Sequence, residues 1–184
     1  MIKKLSPNFS SREGHKIEMI VVHISSGTLD SMTSWFMQPV SQASSHYGVG
    51  KNGEIIQYVP ENLKAWHAGK IDNPTAKLVI QKAINPNLYS VGIECEGQDL
   101  KNAPEAQRKA LYSLISDICI RNGIPIDREH IVGHYEIATK TRVNDPSPDH
   151  SIMDKIVENV KILSGVDEMV SIPKKLANEL KKYM

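Results

Sequence analysis

The chain has 184 residues, 40% hydrophobic and 23% charged, with 22 Lys+Arg against 21 Asp+Glu for a formal charge of +1. That is the make-up of one globular domain with apolar material for a core, and the balanced charge excludes a polyelectrolyte partner such as nucleic acid. No apolar run approaches the ~20 residues of a bilayer span, and the basic start, Met1 to Ser11, lacks the apolar stretch of a signal peptide. We therefore expect a protein made in the cytosol, without membrane insertion. Two cysteines, Cys95 and Cys119, are too few for a disulfide framework or an all-cysteine zinc site, which leaves any metal to the seven histidines and the carboxylates.

Met19 to Ile24 (MIVVHI) is apolar and β-branched throughout, which predicts a strand buried on both faces. Leu29, Met32, Trp35 and Phe36 recur at helical spacing and predict a helix over Thr28 to Gln38, ended by Pro39. His46 to Gly50 and Glu54 to Val59 flank Lys51-Asn52-Gly53 as a β-hairpin. Pro60 to Pro86 reads as loop with irregular helix, and Ser90 to Glu96 as another strand. Pro104 to Arg121 carries one apolar stripe (Ala106, Ala110, Leu111, Leu114, Ile115, Ile118) between a starting proline and a closing Asn122-Gly123. Ile131 to Gly133 is a short strand leading to His134, a polar loop runs to His150, and Ile152 to Leu163 is helical. The lysine-rich stretch from Pro173 is either a packed terminal helix or the start of a linker to a further module. Strands alternating with helices predict an α/β fold, a central mixed sheet flanked by helices.

His23 and His134 both end short strands, so they can meet at one sheet edge, although a lone strand-end histidine is more often a hydrogen-bonded core residue. Asp145, on the proline-stiffened Asp145-Pro146-Ser147-Pro148, returns a carboxylate about ten residues after His134. Alone it reads as an ordinary turn residue; with the two histidines it completes a donor set of the catalytic zinc kind. His130 and His134 have helical metal spacing, but the order of Glu129 is wrong for HExxH and Ile131-Val132-Gly133 is a poor helix, so His130 is assigned to the surface. Period-2 alternation puts Val91, Ile93 and Cys95 on one face and Gly92, Glu94 and Glu96 on the other. Glu94 is then either solvent-facing or a buried acid used as a general base.

Seven segments in order carry a resemblance: Ile20-Val21-Val22-His23, Ser45-His46-Tyr47-Gly48-Val49, Lys51-Asn52-Gly53, Ala65-Trp66-His67-Ala68-Gly69, Ser90-Val91-Gly92-Ile93-Glu94, Gly133-His134-Tyr135-Glu136-Ile137 and Asp145-Pro146-Ser147-Pro148. Together they resemble the zinc-dependent N-acetylmuramoyl-L-alanine amidases of the Amidase_2 type, a group that includes the peptidoglycan-recognition proteins and many phage endolysins. The resemblance implies one Zn²⁺ held by His23, His134 and Asp145, with Glu94 handling the proton. It implies a substrate groove beside His46, Trp66 and His67, with His67 also catalytic or a structural support. Ser45 stands where some phage members carry a catalytic tyrosine, which places the chain in the glutamate subtype. Val143 stands where a lysine commonly stabilises the oxyanion; Arg142 is the expected replacement, with Lys140 two residues before it. Asp149 and His150 are rival third ligands.

The implied activity is hydrolysis of the amide between N-acetylmuramic acid and L-alanine in peptidoglycan by a monomeric enzyme. Residues 1–165 would be the catalytic domain and 166–184 the lysine-rich appendage. The alternative is a non-catalytic peptidoglycan-binding module of the same fold; a serine hydrolase has no G-x-S-x-G elbow to support it. A phage or prophage endolysin, cytoplasmic until a holin or lysis releases it to the cell wall, is the preferred setting over wall recycling.

Overall fold

The computed structural model describes residues 1–165, so the lysine-rich segment lies outside the described residues. The strands are β1 (Ile2–Lys3), β2 (Phe9–Ser11), β3 (Met19–Ile24), β4 (Tyr47–Val49), β5 (Ile55–Gln57), β6 (Leu63–Ala65), β7 (Ser90–Cys95) and β8 (Ile131–Gly133). The helices are α1 (Leu29–Phe36), α2 (Lys77–Lys82), α3 (Glu105–Asn122) and α4 (Ile152–Ser164). Among the described residues no helix is long and apolar enough to cross a membrane.

Six strands form a mixed sheet in the order β1-β5-β4-β7-β3-β8, in which β4, β7, β3 and β8 run parallel. The strand β3 is wholly buried because both of its faces are covered, as its unbroken apolar sequence requires. Ile20, Val22 and Ile24 pack with Leu111, Ile115 and Ile118 of α3 and Met153 and Ile156 of α4. On the opposite face Met19 and Val21 meet Leu78 and Val79 of α2, while Leu29, Met32 and Phe36 of α1 pack on Ile56 and Tyr58. The long helix begins after Pro104 and closes on Gly123 at φ +66°, a left-handed cap that glycine adopts without a Cβ penalty.

The expected mixed sheet with flanking helices is the observed one. Three short strands had no sequence signal: β1 pairs with β5, and β2 with β6 in a separate two-stranded sheet. Two or three residues cannot display a period, and FSS and LKA are specified by their partners rather than by pattern. Within the expected irregular stretch, α2 is a regular helix of 6 residues.

The N-terminal arm is fastened by Arg12, which is buried. Its Nε donates to Glu61 O (2.6 Å), Nη1 to Asn87 O and Leu88 O (3.2 and 3.0 Å), and Nη2 to Ser90 O (2.8 Å). Burial pulls the guanidinium down to about 10 against the attraction of Glu61. Arg12→Met leaves several buried carbonyls without a donor, and we expect a loss on the order of 3 kcal/mol, read as a lower urea midpoint at unchanged m-value.

Candidate metal centre and active site

Parallel strands share their C-terminal ends, and here they deliver chemistry to one edge. His23 is in register with Glu94 across β3 and β7, and Val22 with Gly133 across β3 and β8, so His134 emerges level with His23. Asp145 arrives on a loop pinned at several points. Tyr135 N–H donates to Asp145 O (2.8 Å), Leu100 N–H to Pro146 O (3.1 Å) and Ser147 Oγ to Asp99 Oδ1 (2.6 Å).

His23 Nδ1, His134 Nδ1 and Asp145 Oδ2 form a triangle with sides of 3.0, 3.0 and 3.7 Å. Donors at ~2.0–2.1 Å around a tetrahedral ion such as zinc stand about 3.3 Å apart, so the triangle has the size of one tetrahedral face. The other oxygen, Asp145 Oδ1, accepts the Ile24 N–H at 2.9 Å, which aims Oδ2 at the imidazoles. Burial pushes Asp145 up, yet the His134 hydrogen bond and the nearby His23 imidazole outweigh it and hold the carboxylate well below the usual range. Burial alone would lower His23, but the Asp145 carboxylate 3.7 Å away and the charge of Glu94 raise it. The field at this point therefore favours a cation. His134, by contrast, is brought down to about 4 by burial and by the charge on His23, which keeps it neutral.

The network behind His23 assigns its tautomer. Ser90 Oγ donates to Pro86 O (2.8 Å), so His67 Nε2–H donates to Ser90 Oγ (3.2 Å) and His67 Nδ1 accepts from His23 Nε2–H (3.1 Å). The lone pair of His23 Nδ1 is left facing the triangle, the arrangement that orients a metal-ligating histidine. The His67 ring lies flat on the backbone of β7, where a Cβ on Gly92 would stand 2.5 Å from its Cγ. Burial and the neighbouring His23, His46 and His134 keep His67 well below its ordinary value. Both of its ring nitrogens are engaged, so it supports His23 while lining the cleft.

Glu94 faces the same edge, and burial raises its carboxyl to about 7, with Asp145 adding to the rise and His23 and Arg142 opposing it. A cleft of about 450 Å³ opens over these groups and is lined by Trp66, His67, Glu94 and Arg142. Arg142 is exposed on its wall, and its charge acts on His23, Glu94 and His134 alike. Trp66 is fixed by its Nε1–H to Ser10 Oγ (3.0 Å).

Two expectations need correction. His46 is not on the substrate groove: it is fully buried, accepts the Gly92 N–H on Nδ1 (3.0 Å), and its Nε2 stands 2.7 Å from Arg12 Nη2. Burial and Arg12 take it down to about 3, so it stays neutral inside the fold. Trp35 does not belong to the apolar face of α1; it is 52% exposed and lines the cleft. The helical positions 29, 32, 33 and 36 make the buried face, and 35 falls outside that set. The rival ligands sit elsewhere. Asp149 pairs with Lys101 at 2.9 Å, and His150 stacks on Tyr135 at 3.7 Å while its Nε2 donates to Val143 O. Ser45 is buried and donates to Tyr47 O. A larger groove of about 890 Å³ opens at the opposite ends of the strands, but the Arg12 and Glu61 side chains beside it are engaged within the protein.

Because the His67 ring occupies the space of a Gly92 side chain, Gly92→Ala displaces that ring and frees the His23 tautomer. We expect metal affinity to fall roughly 10–100-fold, measured by competition against a chromogenic chelator.

The family model described as N-acetylmuramoyl-L-alanine amidase matches residues 13–148. N-acetylmuramoyl-L-alanine amidase A of Achromobacter lyticus is 32% identical over 122 residues, 65% of this chain and 60% of that protein. The 1,6-anhydro-N-acetylmuramyl-L-alanine amidase AmpD of Salmonella typhimurium is 29% identical over 162 residues, covering 78% of this chain and 81% of the relative. An AmpD crystal structure superposes with a TM-score of 0.66 at 25% identity, over 84% of this chain and 93% of that one. A mutant endolysin from Bacillus subtilis shares the fold, with a TM-score of 0.60 at 22% identity over 86% and 97% of the two chains. The chain belongs to the Amidase_2 family of N-acetylmuramoyl-L-alanine amidases.

Proposed function

We propose that this chain is a zinc-dependent amidase that cleaves the bond between the lactyl carbonyl of N-acetylmuramic acid and the nitrogen of L-alanine in peptidoglycan. The observation that carries the reading is the triangle of His23 Nδ1, His134 Nδ1 and Asp145 Oδ2, whose sides match a tetrahedral face. Those three residues would hold the ion, which supplies Lewis acidity toward water and toward the amide carbonyl.

The remaining work falls to the chain's own groups. Glu94, half-buried at the edge with its carboxyl near neutral range, accepts a proton from the attacking water and returns it to the departing alanine nitrogen. An amide nitrogen leaves poorly unless protonated, so one carboxyl serving both steps suits this substrate. Arg142, on the cleft wall where the family's lysine is replaced by Val143, faces the negative charge that develops on the carbonyl oxygen. His67 holds His23, and Trp66 forms a wall of the groove. The donor cluster and Glu94 line one cleft, which supports catalysis over a module that only binds the wall.

The proposed setting is lysis of the wall by a monomeric phage or prophage enzyme, supported by the forms of Gly133-His134-Tyr135-Glu136-Ile137 and Asp145-Pro146-Ser147-Pro148. The AmpD relatives support the competing setting, turnover of soluble muropeptides. Intact sacculi and anhydro-muropeptides offered side by side separate the two, and we expect faster release from sacculi.

Glu94→Gln tests the mechanism. We expect it to retain stoichiometric zinc while release of new N-terminal alanine from peptidoglycan falls ~10²–10⁴-fold. Near-normal turnover would remove Glu94 from the reaction, and new reducing sugar ends in place of alanine would remove the amidase assignment.

A further inference from the structure

The cleft has three arms of different chemistry: one runs along Gln98, Val143 and Asn144 with no cation but Arg142, and the other two meet at His67, His134 and Arg142. One of these two, of about 200 Å³, is cationic, with Lys70, Thr141 and Arg142 on its walls. The other runs past Met32 to Trp35, Ala43, Ser44 and Trp66, and no Lys or Arg lines it beyond Arg142 at its mouth. Both tryptophans of the chain stand on this second arm. Trp66 is anchored by its indole N–H, but Trp35 is 52% exposed and, among the described residues, has no hydrogen-bond partner for its own. A scattered exposed aromatic needs no explanation. Two indoles lining one cleft each offer an amphipathic surface, flat and apolar on the faces.

The substrate divides in the same way. Its stem peptide carries free carboxylates, whereas the glycan side is uncharged, because the lactyl carboxyl of the muramic acid is tied up in the scissile amide. Pyranose rings present an apolar C–H face with hydroxyls around the edge, a shape that stacks on an indole. Charge complementarity sends the peptide to the Lys70–Arg142 arm and leaves the neutral sugar to the aromatic one.

We infer that Trp35 is a specificity residue, a stacking platform for the N-acetylhexosamine ring on the glycan side of the scissile bond. This rests on the amidase reading for the identity of the substrate. Trp35 stands outside the core and caps nothing, so its replacement leaves the fold intact.

The test is calorimetric binding in the Glu94→Gln background, which measures affinity apart from turnover. The probes are muramyl dipeptide and D-lactoyl-L-alanyl-D-isoglutamine, the same ligand without its sugar ring. Adding Trp35→Ala is expected to weaken muramyl dipeptide roughly tenfold, to leave the lactoyl ligand within twofold, and to be largely restored by Trp35→Phe. Equal losses on both ligands, or no loss on either, overturn the assignment. A wild-type chain that fails to hydrolyse peptidoglycan while keeping this Trp35-dependent preference for the sugar would remove the amidase reading and leave the platform standing.

Discussion

The structure depends on bringing two imidazole nitrogens and a carboxylate oxygen within 3.0–3.7 Å of each other inside the protein. Lone pairs so placed repel unless a proton or a metal ion lies between them, and burial removes the water that would otherwise screen them. The fold meets this constraint with register rather than with a flexible loop alone. Four parallel strands end at one edge, so His23, Glu94 and His134 are set by backbone hydrogen bonds several residues deep in the sheet. Only Asp145 comes from a loop, and that loop is pinned to Tyr135, Leu100 and Asp99.

Behind the triangle lies a second layer that costs sequence freedom. The chain Pro86–Ser90–His67–His23 fixes a tautomer, and Gly92 is small because the His67 ring needs its space. His46, one strand over, has been drawn into the interior as a neutral imidazole that joins β7 to Arg12. Arg12 in turn ties the N-terminal arm to the turn preceding β7. The histidine-rich middle of this protein thus contains one group of residues that faces the cleft and another that holds the first group in place.

Much of this was legible in the sequence. The doubly buried β3 announced itself as an unbroken apolar run, and the parity of Glu94 followed from simple alternation. Strand ends at His23 and His134 anticipated their meeting, because the parallel order places both ends on one side. What was not legible depends on pairing and on three-dimensional neighbours. Strands of two or three residues carry no period, and nothing local distinguishes His46, turned inward against Arg12, from His67, lying on the cleft. Trp35 shows a different gap: a helix with four apolar-spaced residues looked like one face until packing separated the buried set from the residue beside it.

His23, His134 and Asp145 are proposed to bind one zinc ion. This is tested most directly by loading the purified chain with zinc, measuring the bound metal, and recording the zinc X-ray absorption edge and its fine structure. The expected result is one ion per chain with nitrogen and oxygen scatterers at about 2.0–2.1 Å, two of them imidazole, and loss of the ion on Asp145→Ala. A sulfur shell at about 2.3 Å, or an ion that survives Asp145→Ala with an unchanged spectrum, would contradict it.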